Sequence, residues 1–252
     1  MTRLIAFDLD DTLAPSKSPL DPSMAERLRL LLEAMDVCVI SGGSFGQFRD
    51  QLLSRLPATS QLHRLHLMPT CGTRYYRWDG ARWQLMYSED IDDGERSGAL
   101  AVVEQEAIRL GLWEAETWGP ALEDRGSQIT FSALGQLAPV EAKARWDPDG
   151  SRRNRLRAAV QSRLPGLEVR AGGSTSIDIT RHGVDKAYGM TRLAEVTGIA
   201  FSDMLFVGDR LDADGNDYPV VRLGIPTRAV TGWPDTAAVI DGVLARLHPV
   251  DG

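Results

Sequence analysis

Three carboxylates crowd into four residues of the segment Phe7-Asp8-Leu9-Asp10-Asp11-Thr12-Leu13, directly after an apolar run. Acids packed so closely repel one another unless a cation lies between them. A hard cation such as Mg²⁺ is held by one or two carboxylates, by waters and by phosphate oxygens. Asp8 and Asp10 turn toward one point only where the strand breaks into a loop between them, and such a loop lies where open parallel sheets bind their ligands, beyond the carboxyl ends of the strands. An isolated Asp-x-Asp is equally an acidic turn that closes a strand, so the other polar segments decide between the two.

Val37–Ile40 runs into Ser41-Gly42-Gly43-Ser44 and then a helical pattern. A hydroxyl and several unpaired N–H groups thereby face the same sheet edge as a cradle for phosphate, although the same four residues also serve as an ordinary turn and helix cap. Lys186, in Gly183-Val184-Asp185-Lys186-Ala187, falls at a helix start. The helix dipole disfavours a cation there, so the lysine calls for an anionic partner; taken alone it reads as a surface lysine. Leu205-Phe206-Val207 leads into Gly208-Asp209 and Gly215-Asn216-Asp217, a second acid-rich loop after a buried strand. Asp209 can complete a metal shell while Asn216 and Asp217 position it or its waters. Asp212 and Asp214 read as solvated.

The elements that must position these residues follow from periodicity. Leu4–Leu9, Val37–Ile40 and Leu65–Met68 are short apolar runs of strand type, separated by helical patterns. Asp21-Pro22 offers a cap and a first-turn proline for a helix with Met24, Leu28, Leu31 and Leu32 on one face. Ser44 caps a second helix carrying Phe45, Phe48, Leu52 and Leu56. The turn at Asp79-Gly80, flanked by Tyr75, Tyr76, Trp78 and Trp83, predicts a hairpin leading away from the parallel sheet. Between 83 and 183 the texture is α+β: a helix over Glu95–Leu110, a strand near Gln128–Ser132, a helix over Ser151–Leu164 and a strand near Ser174–Thr180. The parallel pattern then resumes with a helix from Asp185, strands at Met204–Val207 and Thr227–Val230 and a closing helix from Asp235.

A net charge of -7 argues against nucleic-acid and anionic-membrane partners, which select basic stripes. No apolar run is long enough to span a bilayer. The start MTRLIAFDLDD meets two acids too soon for a signal peptide. Two cysteines without metal-ligand spacing fit a reducing compartment, so a cytoplasmic location is expected. The four histidines, His248 included, form no zinc pattern.

Acids after the first strand, a hydroxyl after the second, a lysine opening a late helix and acids after the next strand form an ordered set. In that order they resemble the four motifs of the haloacid dehalogenase superfamily of phosphatases and phosphomutases. The resemblance covers the whole chain and implies an α/β fold: a Rossmann-like core with a parallel sheet, residues 1–82 and 184–252, and an inserted α+β cap of the C2 type, residues 83–183. Hinges are expected near Arg82 and Gly183. Ser41-Gly42-Gly43-Ser44-Phe45, the spacing of Gly208-Asp209 to Gly215-Asn216-Asp217, and Gly172-Gly173-Ser174-Thr175-Ser176-Ile177-Asp178 look especially like the eukaryotic-type phosphomannomutases.

The resemblance implies an aspartyl-phosphate mechanism acting on a small phosphate ester. Asp8 is the expected nucleophile and Asp10 the acid and base. Mg²⁺ is expected on Asp8, the Asp10 backbone carbonyl and Asp209, with Asn216 and Asp217 in support. Ser41, Gly42 and Lys186 would bind the transferring phosphoryl group, Ser176 and Asp178 sugar hydroxyls, and Lys17 and Lys143 further phosphate oxygens. Two departures from the family pattern are Asp11 where glycine is common and Ser132 where the mutases carry an arginine. A sugar-phosphate phosphatase is the reading these residues favour. A phosphomannomutase or other hexose phosphomutase shares all four motifs, whereas a non-catalytic binding module would be free to lose Asp8 or Asp10.

Overall fold

The computed structural model describes residues 2–247, and His248 lies outside them. In chain order the elements are β1 (Leu4–Phe7), α1 (Pro22–Ala34), β2 (Asp36–Ile40), α2 (Phe45–Phe48), β3 (Leu65–Met68), β4 (Arg74–Trp78) and β5 (Trp83–Ser88); then α3 (Asp93–Arg109), β6 (Leu122–Asp124), β7 (Gln128–Ser132), α4 (Val140–Trp146), α5 (Ser151–Arg163), β8 (Leu167–Ala171) and β9 (Ser176–Arg181); finally α6 (Lys186–Thr197), β10 (Met204–Gly208), α7 (Tyr218–Val221), β11 (Thr227–Ala229) and α8 (Trp233–Leu247). They divide into two compact units, residues 1–88 with 184–252, and residues 89–183.

The first unit is built on a seven-stranded sheet in the order β11-β10-β1-β2-β3-β4-β5. Its first five members pair in parallel. β1 is the middle one of these five, with all four residues buried, as a strand covered on both faces requires. One face packs Ile5, Phe7, Val37 and Val39 against Met24, Leu28 and Leu31 of α1. The other packs Leu4, Ala6, Cys38 and Ile40 against Met190 and Leu193 of α6. Asp21 caps α1 by accepting from Ser23 N, with Pro22 in the first turn. Ser44 caps α2, which runs into a π turn over Arg49–Leu53 that keeps Phe48 and Leu52 buried.

The hairpin corrects one expectation. β4 pairs antiparallel with β3 and with β5, so it extends the sheet instead of leading away from it. The first unit therefore runs through Ser88, and the boundary expected after residue 82 falls in the turn between β4 and β5, separating β5 from the sheet it belongs to.

The second unit is a four-stranded antiparallel sheet, β6-β7-β9-β8, with helices on one face. Ile129, Phe131, Val169, Ile177 and Ile179 point into a core with Ala99, Val103, Leu156 and Val160 of α3 and α5. The alternate residues Thr130, Ser132, Ser176, Asp178 and Arg170 occupy the opposite face, as the two-residue period of a strand dictates.

Candidate active site

The predicted chemistry gathers at the carboxyl ends of β1, β2 and β10, all within the first unit. Asp8 follows β1 and Asp209 follows β10, and these strands are parallel neighbours. Asp217 reaches the same place because the loop after β10 folds back: Asp217 N donates to Arg210 O at 3.1 Å, and Arg210 N donates to Asp217 Oδ2 at 3.1 Å. A Cβ on residue 208 would collide with Asp217 Oδ2 and come within 2.8 Å of the Phe206 ring, which is why glycine stands there. Oxygens of Asp8, Asp209 and Asp217 lie within 4.8 Å of one another.

Lys186 enters this cluster from the first turn of α6. Its Nζ lies 2.7 Å from Asp8 Oδ1 and also binds Asp217 Oδ1. The lysine side chain is 1% exposed and those of its partners 6% and 0%, so the charges meet out of water. The anionic partners that a lysine at a helix start calls for are these two carboxylates. Burial lowers the Lys186 pKa, but Asp217 and Asp8 outweigh burial and hold it above the ordinary value, so the ammonium stays charged. Burial pushes the Asp8 carboxyl up, Lys186 opposes it and Asp217 adds to it, and the balance lies at about 8. Asp209 is raised as well, by burial and by Asp217.

With every carboxyl ionised, one ammonium would face three carboxylates, an excess of two negative charges in a largely buried place, and the raised pKa values of Asp8 and Asp209 reflect that excess. Hard oxygen donors at this separation with uncompensated charge fit a divalent cation such as Mg²⁺.

Asp10 is turned to other partners. Its Oδ1 accepts from Lys17 N at 2.8 Å and Gln51 Nε2 at 3.2 Å, and its Oδ2 from Gln47 Nε2 at 2.8 Å, with Lys17 Nζ 3.3 Å away. Burial raises its pKa, yet the charge and N–H of Lys17 and the amides of Gln51 and Gln47 bring the net value below the ordinary one. The loop that carries it is tight: Asp11 has φ 60° and Lys17 φ 58°. Aspartate visits that region more readily than most residues. Ser41 is buried at the end of β2, and its Oγ accepts from Gly43 N at 3.1 Å. Asn216 is exposed, next to the buried Asp217 of the carboxylate cluster.

Sequence reasoning missed Thr12, Gln47 and Gln51. Thr12 is fully buried and donates from Oγ1 to Asp209 Oδ1 at 3.2 Å. A threonine two residues after Asp10, in a segment otherwise apolar or acidic, was the available signal. Gln51 sits at the i+4 position from Gln47, on the turn that packs over Asp10, and helical spacing pairs the two.

In the second unit, Asp178 Oδ1 accepts from Gln128 Nε2 at 3.0 Å and Thr130 Oγ1 at 2.7 Å. Ser176 shares its face, and a Cβ on Gly172 would lie 2.8 Å from both Ser176 Oγ and Asp178 Oδ2. Ser132 accepts from Gln136 Nε2 at 2.8 Å, and Lys143 Nζ donates to Gln136 O at 3.3 Å. Arg125 and Arg170 engage Glu123 at 2.5 Å and Glu168 at 2.8 Å.

A separate cleft of about 540 Å³ is lined by Asp36, His66, Tyr75 and Arg77 together with Met86, Tyr87, Val196 and Thr197. It adjoins the start of β2, the end opposite Ser41, and its polar groups engage one another: His66 Nδ1 lies 2.8 Å from Tyr75 Oη, and Nε2 lies 3.9 Å from Asp36 Oδ2. No helix among the described residues is long and apolar enough to cross a membrane.

Comparison with known proteins bears on the family and the fold. The chain is 24% identical over 238 residues to a phosphomannomutase of Saccharomyces cerevisiae, covering 86% of this chain and 84% of the relative. Among solved structures it resembles the N-terminally truncated IMP-nucleotidase of Plasmodium falciparum, with a TM-score of 0.68, 16% identity and coverage of 98% of this chain and 71% of that one. It also resembles a haloacid dehalogenase-like hydrolase from Bacteroides thetaiotaomicron, with a TM-score of 0.65, 15% identity and coverage of 96% and 100%. The family described as Eukaryotic phosphomannomutase matches residues 116–245. Since that match takes in the second unit from before β6 as well as Lys186, Asp209 and Asp217, the chain belongs to the eukaryotic phosphomannomutase family, within the haloacid dehalogenase-type enzymes of the phosphatase and phosphomutase kind.

Proposed function

We propose that this enzyme hydrolyses a small phosphomonoester, in the first instance a sugar phosphate, through a phosphoryl group carried on Asp8. The observation that carries the reading is the Asp8–Lys186–Asp217–Asp209 cluster at the carboxyl end of the parallel strands, with Asp10 in the same loop. Asp8 attacks phosphorus with a carboxylate oxygen, and the bond from phosphorus to the leaving oxygen breaks. Asp10 gives a proton to that oxygen and then takes one from the water that attacks the phosphoryl group, whose bond to Asp8 breaks to release phosphate and regenerate the carboxylate; such help contributes about 10²–10⁴-fold. Lys186 neutralises charge on the phosphoryl oxygens, and Ser41 and Gly42 offer a hydroxyl and a backbone N–H. Phosphoryl transfer needs chiefly positioning and charge stabilisation of this kind.

Asp8, the Asp10 carbonyl and Asp209 would hold Mg²⁺, with Asp217 in support. When bound, the cation supplies electrostatic stabilisation of the transferring group. Thr12 orients Asp209 for that purpose. Ser176 and Asp178 bind substrate hydroxyls; a carboxylate suits the task because its second oxygen remains an acceptor after Gln128 and Thr130 have taken the first.

Family membership favours a second reading, a hexose phosphomutase, in which the acceptor is a sugar hydroxyl instead of water. That reaction needs a second phosphate site, for which an arginine fork is well suited. Ser132 is buried and bonded to Gln136 where the mutases carry an arginine, and Arg125 and Arg170 of the same unit are paired with glutamates. This supports the phosphatase. The test is phosphate release from a panel of phosphomonoesters with Mg²⁺, alongside conversion of mannose 1-phosphate to its 6-phosphate with a hexose bisphosphate. Phosphate release that depends on metal is expected; isomerisation without free phosphate would replace hydrolase by mutase.

A further inference from the structure

Gln47 has no part in the chemistry described so far, yet its side chain touches three separate pieces of the site. It stands in the first turn of α2, where its backbone N–H donates to the capping Ser44 Oγ at 3.4 Å. From there the amide lies flat over Gly43, so closely that a Cβ on Gly43 would collide with Gln47 Oε1. Its Nε2 donates to Asp10 Oδ2 at 2.8 Å, and its Oε1 accepts from Lys17 Nζ at 2.6 Å. One uncharged amide thus ties the loop after β1 to the loop after β2. On the other side of the same carboxylate, Gln51 Nε2 donates to Asp10 Oδ1 at 3.2 Å and to Ser18 O at 2.8 Å.

We propose that Gln47 is a positioning residue for proton transfer by Asp10: its amide, seated on the bare Gly43 and anchored by Lys17, holds the Asp10 carboxyl in the orientation from which it reaches the leaving oxygen. The inference rests on the role of Asp10 given above. An amide is suited to this because it donates to a carboxyl oxygen without adding charge. The balance of the step is simple: the Asp10 O–H gives its proton to the oxygen that leaves phosphorus, as an oxygen of Asp8 forms its bond to phosphorus. A misdirected Asp10 leaves that oxygen to depart as an alkoxide.

The consequence depends on the leaving group. An alkyl phosphate, such as a sugar 6-phosphate, needs the proton; p-nitrophenyl phosphate, whose phenolate leaves unaided, does not. The experiment compares kcat and KM on both esters, with Mg²⁺, for wild type, Gln47→Met, Gln47→Glu and Asp10→Asn. Gln47→Glu keeps the shape but replaces the donated N–H by a carboxyl oxygen and its charge, so a loss shared with Gln47→Met is not an effect of packing. Both Gln47 variants are expected to lower kcat on the alkyl ester by about 10–100-fold, within what acid catalysis contributes, and on the aryl ester by less than about threefold, with KM nearly unchanged. Equal losses on both esters would reduce Gln47 to a structural residue and overturn the proposal, as would full activity on the alkyl ester. If instead Asp10→Asn fails to distinguish the two esters, the acid role of Asp10 is itself wrong and this inference falls with it.

Discussion

Replacing Lys186 by methionine tests the electrostatics of the cluster most severely. Methionine matches the length and most of the volume of the side chain, so packing changes little and the loss of charge dominates. In the native protein Nζ stands 2.7 Å from Asp8 Oδ1 and binds Asp217, with exposures of 1%, 6% and 0%. Removing one partner of a buried ion pair costs about 3–5 kcal/mol because the remaining charge stays buried. Protonation of Asp8 lightens that burden, so we expect about 3 kcal/mol in chelator at pH 6, which for a chain of this size lowers Tm by about 6–12 °C. The sign of the pH dependence follows from Asp8, whose pKa stands at about 8 even with the lysine present. A carboxyl raised on folding stabilises the folded state while protonated, and that stability is lost as pH rises through the folded value. Lys186→Met should therefore lose still more stability between pH 6 and pH 9, and a second change, Asp217→Asn, should restore part of it. Urea unfolding at both pH values supplies the measurement. A loss below about 1 kcal/mol, equal at both, would refute the reasoning.

Two further outcomes are expected. Mg²⁺ at about 100 times its dissociation constant should stabilise the native protein by about 2.7 kcal/mol, and Asp209→Asn should abolish most of that gain; thermal unfolding with and without chelator checks it. Gly208→Ala should cost about 1–3 kcal/mol by overpacking against Asp217 and the Phe206 ring, measurable by urea unfolding, and should weaken Mg²⁺ binding because Asp217 is displaced.

The core of the fold was legible because its strands are short apolar runs, and its helices carry Asp21 and Ser44 caps that the structure retains. The site was legible in order along the chain: Asp8, Ser41, Lys186, Asp209 and Asp217 all reach the same end of one sheet, since successive parallel strands bring their carboxyl ends together. The hairpin was misdirected because aromatic residues around a turn say that two strands pair, not which sheet they join. β8 escaped notice although Leu167 and Val169 alternate with Glu168 and Arg170; the strand is short and begins directly after a Pro-Gly turn. Gln47 and Gln51 escaped because their importance lies in contacts with Asp10, 37 and 41 residues away in sequence.

The central claim is that Asp8 carries the phosphoryl group. Rapid mixing of the Mg²⁺-loaded enzyme with a turned-over phosphomonoester, acid quenching within the first turnover and peptide mass spectrometry test it directly. A phosphoryl group on the peptide containing Asp8, absent from the Asp8→Asn variant, is the predicted result. Phosphate release without any trapped adduct, continuing undiminished in Asp8→Asn, would contradict the account.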